Sequence, residues 1–167
     1  MNGIGRRFVA SFVAGSVAIG LNTLALKAAD LISLPTARGG LLRLISLWFD
    51  PAPAWQGLSG LPGFQIGFHL FVGLMMAICY GVFLEPLLPG GATRKGLIYA
   101  ATVWLLNAAV VLPATGEGFA GSAHLTLAGM LWFAVAHTGF FLLLAWGFAW
   151  MVAPRKPASA QERFGSV

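Results

Sequence analysis

Four long apolar runs, separated by stretches rich in glycine, proline and charge, set the pattern of this chain. They extend from about Phe8 to Ile32, Gln65 to Leu88, Gly96 to Leu112 and Leu125 to Val152. At about 1.5 Å of rise per residue, roughly 20 apolar residues cover the hydrocarbon of a bilayer, and each run falls within the usual range. The pattern predicts four transmembrane helices packed as an all-α bundle over residues 1–154, with 155–167 as a polar cytoplasmic tail.

The loop between the first two runs carries its own periodicity. Within residues 41–50, the polar Arg43, Ser46 and Asp50 recur at helical spacing, and the remaining positions are apolar, with Trp48 and Phe49 near the end. This spacing predicts a short outer helix lying in the membrane interface or tucked against the bundle. Pro51, Pro53 and Pro62, with the nearby glycines, punctuate the rest of the loop.

Composition supports the same solvent. The 167 residues are 58% hydrophobic and 9% charged, with mean hydropathy +0.83. A soluble domain carries about 25% charged residues. The net charge of +5 does not imply nucleic acid, because the Lys and Arg residues cluster at the ends of the apolar runs. Arg6, Arg7, Arg94, Lys95, Arg155, Lys156 and Arg163 fall on one side of a four-span topology. Lys27, Arg38 and Arg43 fall on the other. The positive-inside rule then puts both termini in the cytoplasm, in a bacterium at the inner membrane. Residues Leu26 and Lys27 are too large for a cleavage site around Ala28 and Ala29, so the first run reads as an uncleaved anchor, with a removed signal as the alternative.

Several correspondences suggest a two-helix repeat. Pro86 follows His69 by seventeen positions, and Pro154 follows His137 by seventeen. Asn22 and Asn107 stand at similar heights above Arg7 and Lys95. These spacings predict one polar layer in the outer leaflet containing Asn22, His69, Asn107 and His137. Two chemistries suit it. The imidazoles of His69 and His137 could hydrogen-bond neighbouring groups and lock helices together, or they could ligate a b-type haem iron or a metal. The asparagines could cross-link helices or line a polar substrate site.

Other motifs are weaker. Cys79 has no partner for a disulfide and reads as a small packing residue. Residues 116–121 match a dinucleotide-binding glycine pattern, but a membrane helix precedes them where a strand is needed, so a tight outer turn is expected. Lys27 and Asp30 could pair, Glu85 reads as a boundary charge, and Glu117 beside His124 could form a weak outer cation site. Gly63 with Gly67, and Gly15 with Gly20, suit close helix packing. Hydrolytic and P-loop motifs are absent from the sequence.

The stretches HLFVGLMMAICYG (69–81), VWLLNAAVVLPATGEGFAG (103–121) and LWFAVAHTGFF (131–141) resemble parts of small four-helix bacterial inner-membrane proteins. That resemblance implies the four-span topology and a histidine near the outer end of even helices, and it brings no established activity. The functional expectation is a non-catalytic accessory or assembly subunit packed against a larger respiratory or other redox complex, or a homo-oligomer. The alternatives are a haem-b or metal protein using His69 and His137, and a small transporter or channel using the Asn/His layer.

Overall fold

The computed structural model describes residues 3–37, 40–49 and 53–153. All regular structure among them is helical. Four helices are long and apolar enough to cross a membrane: α1 (Gly3–Leu31), α4 (Pro62–Leu84), α5 (Ala92–Ala114) and α6 (Leu127–Val152). Two short helices, α2 (Gly40–Phe49) and α3 (Pro53–Ser59), lie in the connection between the first two spans. The apolar runs and the helices differ chiefly at their ends. Pro62 opens α4 three residues early, because proline suits the first helical turn. Arg38, Asp50, Pro51, Pro154 and the tail 155–167, with Arg155, Lys156 and Arg163, lie outside the described residues.

The chain reverses at each connection. Arg6 near the start of α1 donates through Nη2 to the carbonyl of Val152 at the end of α6 (2.6 Å). The start of α1, the end of α4, the start of α5 and the end of α6 therefore share one end of the bundle. In space α1 packs on both α4 and α6, while α5 packs mainly on α6. Exact two-helix symmetry would make the α1–α6 and α4–α5 contacts equivalent. They are not: the first is extensive and the second rests on side chains such as Tyr99, whose hydroxyl donates to the carbonyl of Met76 (3.3 Å).

Small residues set these approaches. A Cβ on Gly96 would lie 3.0 Å from the carbonyl of Phe141, and one on Gly147 would lie 3.1 Å from Ala14 Cβ. One on Gly15 would overlap Ala77. Gly20, Gly63 and Gly67, by contrast, have open space beside them, so the expected Gly63/Gly67 packing face is not used. Aromatic rings fill the wider part of the core. Tyr80 stacks on Tyr99 at 5.8 Å and meets Phe148 edge-on at 5.8 Å, and Tyr99 meets Phe141 at 4.6 Å.

Two helices change gauge before a proline. In α4 the residues Tyr80–Leu84 form a π-helical turn, closed by Glu85 N–H donating to the Tyr80 carbonyl (2.7 Å), and Pro86 comes next. In α5 the residues Asn107–Val111 do the same, closed by Leu112 N–H on the Asn107 carbonyl, with Pro113 next. A proline ring clashes with the carbonyl four residues back and offers no N–H. Widening the preceding turn relieves that clash, but it leaves a carbonyl in each helix without its usual donor.

The connection 116–121 is the tight turn its glycines suggest. Gly116, Gly118 and Gly121 have φ of +80°, +72° and +85°. Thr126 then caps α6, its hydroxyl accepting from the Gly129 N–H (3.2 Å).

Candidate functional site

The polar layer forms around Asn22. This side chain is 3% exposed, on the face of α1 that α4 and α6 cover. Its Nδ2 donates to the carbonyl of Ala136 in α6 (2.9 Å), and its Oδ1 lies 3.2 Å from His69 Nε2 in α4. One residue thus ties three helices together. His137, next in sequence to Ala136, places its Nδ1 2.9 Å from the carbonyl of Phe133, and its ring centroid lies 4.0 Å from that of Phe133. Nearby, Trp132 Nε1 donates to the Ala25 carbonyl (3.0 Å), a second α6–α1 bond that the sequence did not flag.

Asn107 does not join this group. A Cβ on Gly40 would lie 3.7 Å from its Oδ1 and 3.2 Å from Leu112, so Asn107 stands beside the first turn of α2. Among the described residues no hydrogen bond links it to Asn22, His69 or His137.

At the opposite end lies a charge network that the hydropathy pattern does not announce. Glu85 Oε2 is paired with Arg7, and Glu85 Oε1 accepts from Lys95 Nζ (2.6 Å), which also donates to the Glu85 carbonyl (2.7 Å). Arg7 Nε donates to the carbonyl of Gly81 (2.9 Å). That carbonyl is the one orphaned by the π turn, since Glu85 N–H bonds Tyr80 instead and Pro86 has no N–H. The Arg7 guanidinium also sits 5.5 Å from the Phe148 ring centroid. Arg6 covers the last carbonyls of α6, a favourable place for a cation at the negative end of a helix.

Glu85 is therefore more than a boundary charge. Burial pushes its carboxyl pKa upward, but the hydrogen bonds from Lys95 and Arg7 outweigh this and hold it below the ordinary value of 4.5. The signal available in the sequence was an acidic residue directly before a helix-ending proline, with basic pairs at the same predicted depth.

Glu117 pairs with Arg43 of α2, and His124 is exposed. Lys27 and Asp30 are both exposed near the C-terminal end of α1. Cys79 lies on the bundle surface, which corrects the expectation of a packing role. Among the described residues no cluster of three or more His, Cys, Asp or Glu side chains could hold a metal.

Neither a family model, nor a curated protein, nor a solved structure matches this chain.

Proposed function

We propose that this chain is an integral protein of a bacterial inner membrane, with both termini cytoplasmic, that works as a non-catalytic accessory or assembly subunit against a larger membrane complex. The observation that carries this reading is the contrast between its inner and outer faces. Asn22 and Tyr99, polar side chains within the spans, bond across to neighbouring helices, Asn22 to the Ala136 carbonyl and Tyr99 to the Met76 carbonyl. The outward faces are apolar: Phe71 is 59% exposed, Phe83 63% and Trp150 82%. Only lipid or another membrane protein can cover such surfaces without a large hydrophobic penalty.

Within that surface α5 is the natural docking helix. Its span is 17% buried, against 39% for α1, because it packs mainly on one neighbour. On the outer side, α2 presents Leu47 and Trp48 outward while the Arg43–Glu117 pair tethers it to the turn after α5. That arrangement suits the membrane interface, where aromatic rings favour the headgroup zone.

The test is native electrophoresis of the protein extracted from its own membranes in mild detergent. Migration within a larger complex is expected, and migration only as a 17.6 kDa monomer would overturn the accessory reading. Cysteines introduced near each terminus should both be labelled only from the cytoplasmic face. Labelling on opposite faces would refute the four-span topology.

A further inference from the structure

Two basic pairs meet at the end of the bundle where α1 starts and α6 stops. Arg7 and Lys95 converge on Glu85. Among the described residues it is the acid of this end, since Asp30 and Glu117 lie at the other. One carboxylate therefore stands against four cations, Arg6, Arg7, Arg94 and Lys95. Arg7 and Lys95 share its charge; Arg6 and Arg94 do not.

Contacts with α6 set both of these arginines around its last two turns. Arg6 donates through Nη2 to the carbonyls of Val152 (2.6 Å) and Ala153 (3.2 Å). Both bonds use one nitrogen, so Nη1 and Nε remain as donors, and the residue is exposed. Arg94 follows Thr93, whose hydroxyl accepts from Trp146 Nε1 of α6 (3.0 Å). Its stem lies over the connection between α4 and α5, where a Cβ on Gly90 would come 2.7 Å from Arg94 Cδ. Arg94 is exposed and makes no hydrogen bond or ion pair among the described residues. Residues 146–153 cover about two helical turns, or about 10 Å.

The same turns carry two exposed tryptophans, Trp146 at 47% and Trp150 at 82%, four residues apart on one face. Indole rings favour the boundary between hydrocarbon and headgroups. A guanidinium favours phosphate there, because its planar fork matches two phosphate oxygens. Arg6 also offsets the negative end of α6, which would otherwise repel an anion. A phosphodiester carried on acyl chains meets both the arginines and the indoles. A free anion would meet only the arginines.

We propose that the end of α6, flanked by Arg6 and Arg94 and bearing Trp146 and Trp150, binds the headgroup of an anionic phospholipid. Basic pockets between membrane helices recognise such headgroups by charge. The site requires the chain to span a membrane, and it does not require the accessory role.

The full chain, stripped of native lipid in mild detergent, is placed in mixed micelles with phosphatidylglycerol or phosphatidylcholine, or given inorganic phosphate alone. Native mass spectrometry counts the lipid retained. A single phosphatidylglycerol per chain is expected, with little phosphatidylcholine. Arg6→Gln and Arg94→Gln should each weaken retention about 10- to 100-fold, the worth of a hydrogen bond to a charged group. Lys27→Gln removes an exposed cation at the other end and should leave retention unchanged. The readout that does not depend on any variant folding is phenylglyoxal modification of the unmodified chain. Phosphatidylglycerol should protect Arg6 and Arg94 more than Arg43 at the other end. Equal retention of the two lipids, retention that survives both glutamine variants, or equal protection at the two ends would each overturn the lipid site. Phosphate that protected the same arginines as well as the lipid does would also overturn it, by assigning the site to a free anion. Release of the chain from membranes by carbonate would refute the spanning reading itself. A chain that stays in the membrane and retains no phosphatidylglycerol would refute the lipid site alone.

Discussion

Replacing Gly81 with alanine is expected to destabilise the bundle by about 1–3 kcal/mol or more, the range for forcing extra atoms into a packed core. A Cβ there would overlap Ser11 Oγ and lie 2.6 Å from a ring carbon of Phe148. Neither neighbour yields easily. Ser11 is fully buried and its hydroxyl donates to the Arg7 carbonyl (2.8 Å), while Phe148 is wedged between Tyr80 and the Arg7 guanidinium. Against this, alanine gains at most about 1 kcal/mol of helix propensity over glycine, so the clash wins. Gly63→Ala and Gly67→Ala meet nothing within 4 Å and should be neutral or slightly stabilising. Unfolding midpoints in detergent separate the cases. Ser11→Gly should partly rescue Gly81→Ala, because it removes the nearest obstructing atom. An unchanged midpoint for Gly81→Ala would show that α1, α4 and α6 do not meet tightly at this point.

The contrast among these glycines also shows what was legible before the fold was known. The four long helices were readable because length and apolarity are properties of a segment by itself. The short outer helix was readable from three polar residues at helical spacing. Gly63 and Gly67 have the spacing of a packing motif yet face open space, whereas Gly81 and Gly96 lie at true contacts. Which side of a helix meets a neighbour depends on the neighbour, and no segment contains that information. Asn107 illustrates the same limit: it stands beside the first turn of α2, and no hydrogen bond among the described residues joins it to Asn22 or His69. Asn22 and His69 were brought together as expected because α1 and α4 pack directly. The π turns depend on two prolines that were visible in the sequence. Their consequence, a carbonyl that needs Arg7 from 74 residues away, was not.

That distant requirement makes Glu85→Ala the second large effect. The substitution leaves Arg7 and Lys95, with side chains 29% and 15% exposed, facing one another without their shared anion. Removing one partner of a largely desolvated, hydrogen-bonded charge set costs about 2–5 kcal/mol. These groups retain some solvent, which places the expectation in the lower part of that range, at about 2–4 kcal/mol near neutral pH, read as a lower unfolding midpoint. Glu85→Gln keeps an acceptor but loses the charge and should fall between the two. The pH dependence comes from the lowered carboxyl pKa. The unfolded chain takes up the proton more readily than the folded one, so the contribution of Glu85 is complete above the ordinary value of 4.5 and is lost as pH falls through the lower folded value. Other carboxylates titrate in the same range, so the informative quantity is the difference between the natural chain and Glu85→Ala. That gap should be widest near neutral pH and close in acid, where a protonated Glu85 holds neither cation by charge. A gap that stayed constant down to strong acid would mean that Glu85 acts through packing alone. No gap near neutral pH would mean that Arg7 bonds Gly81 without needing the carboxylate to hold it there.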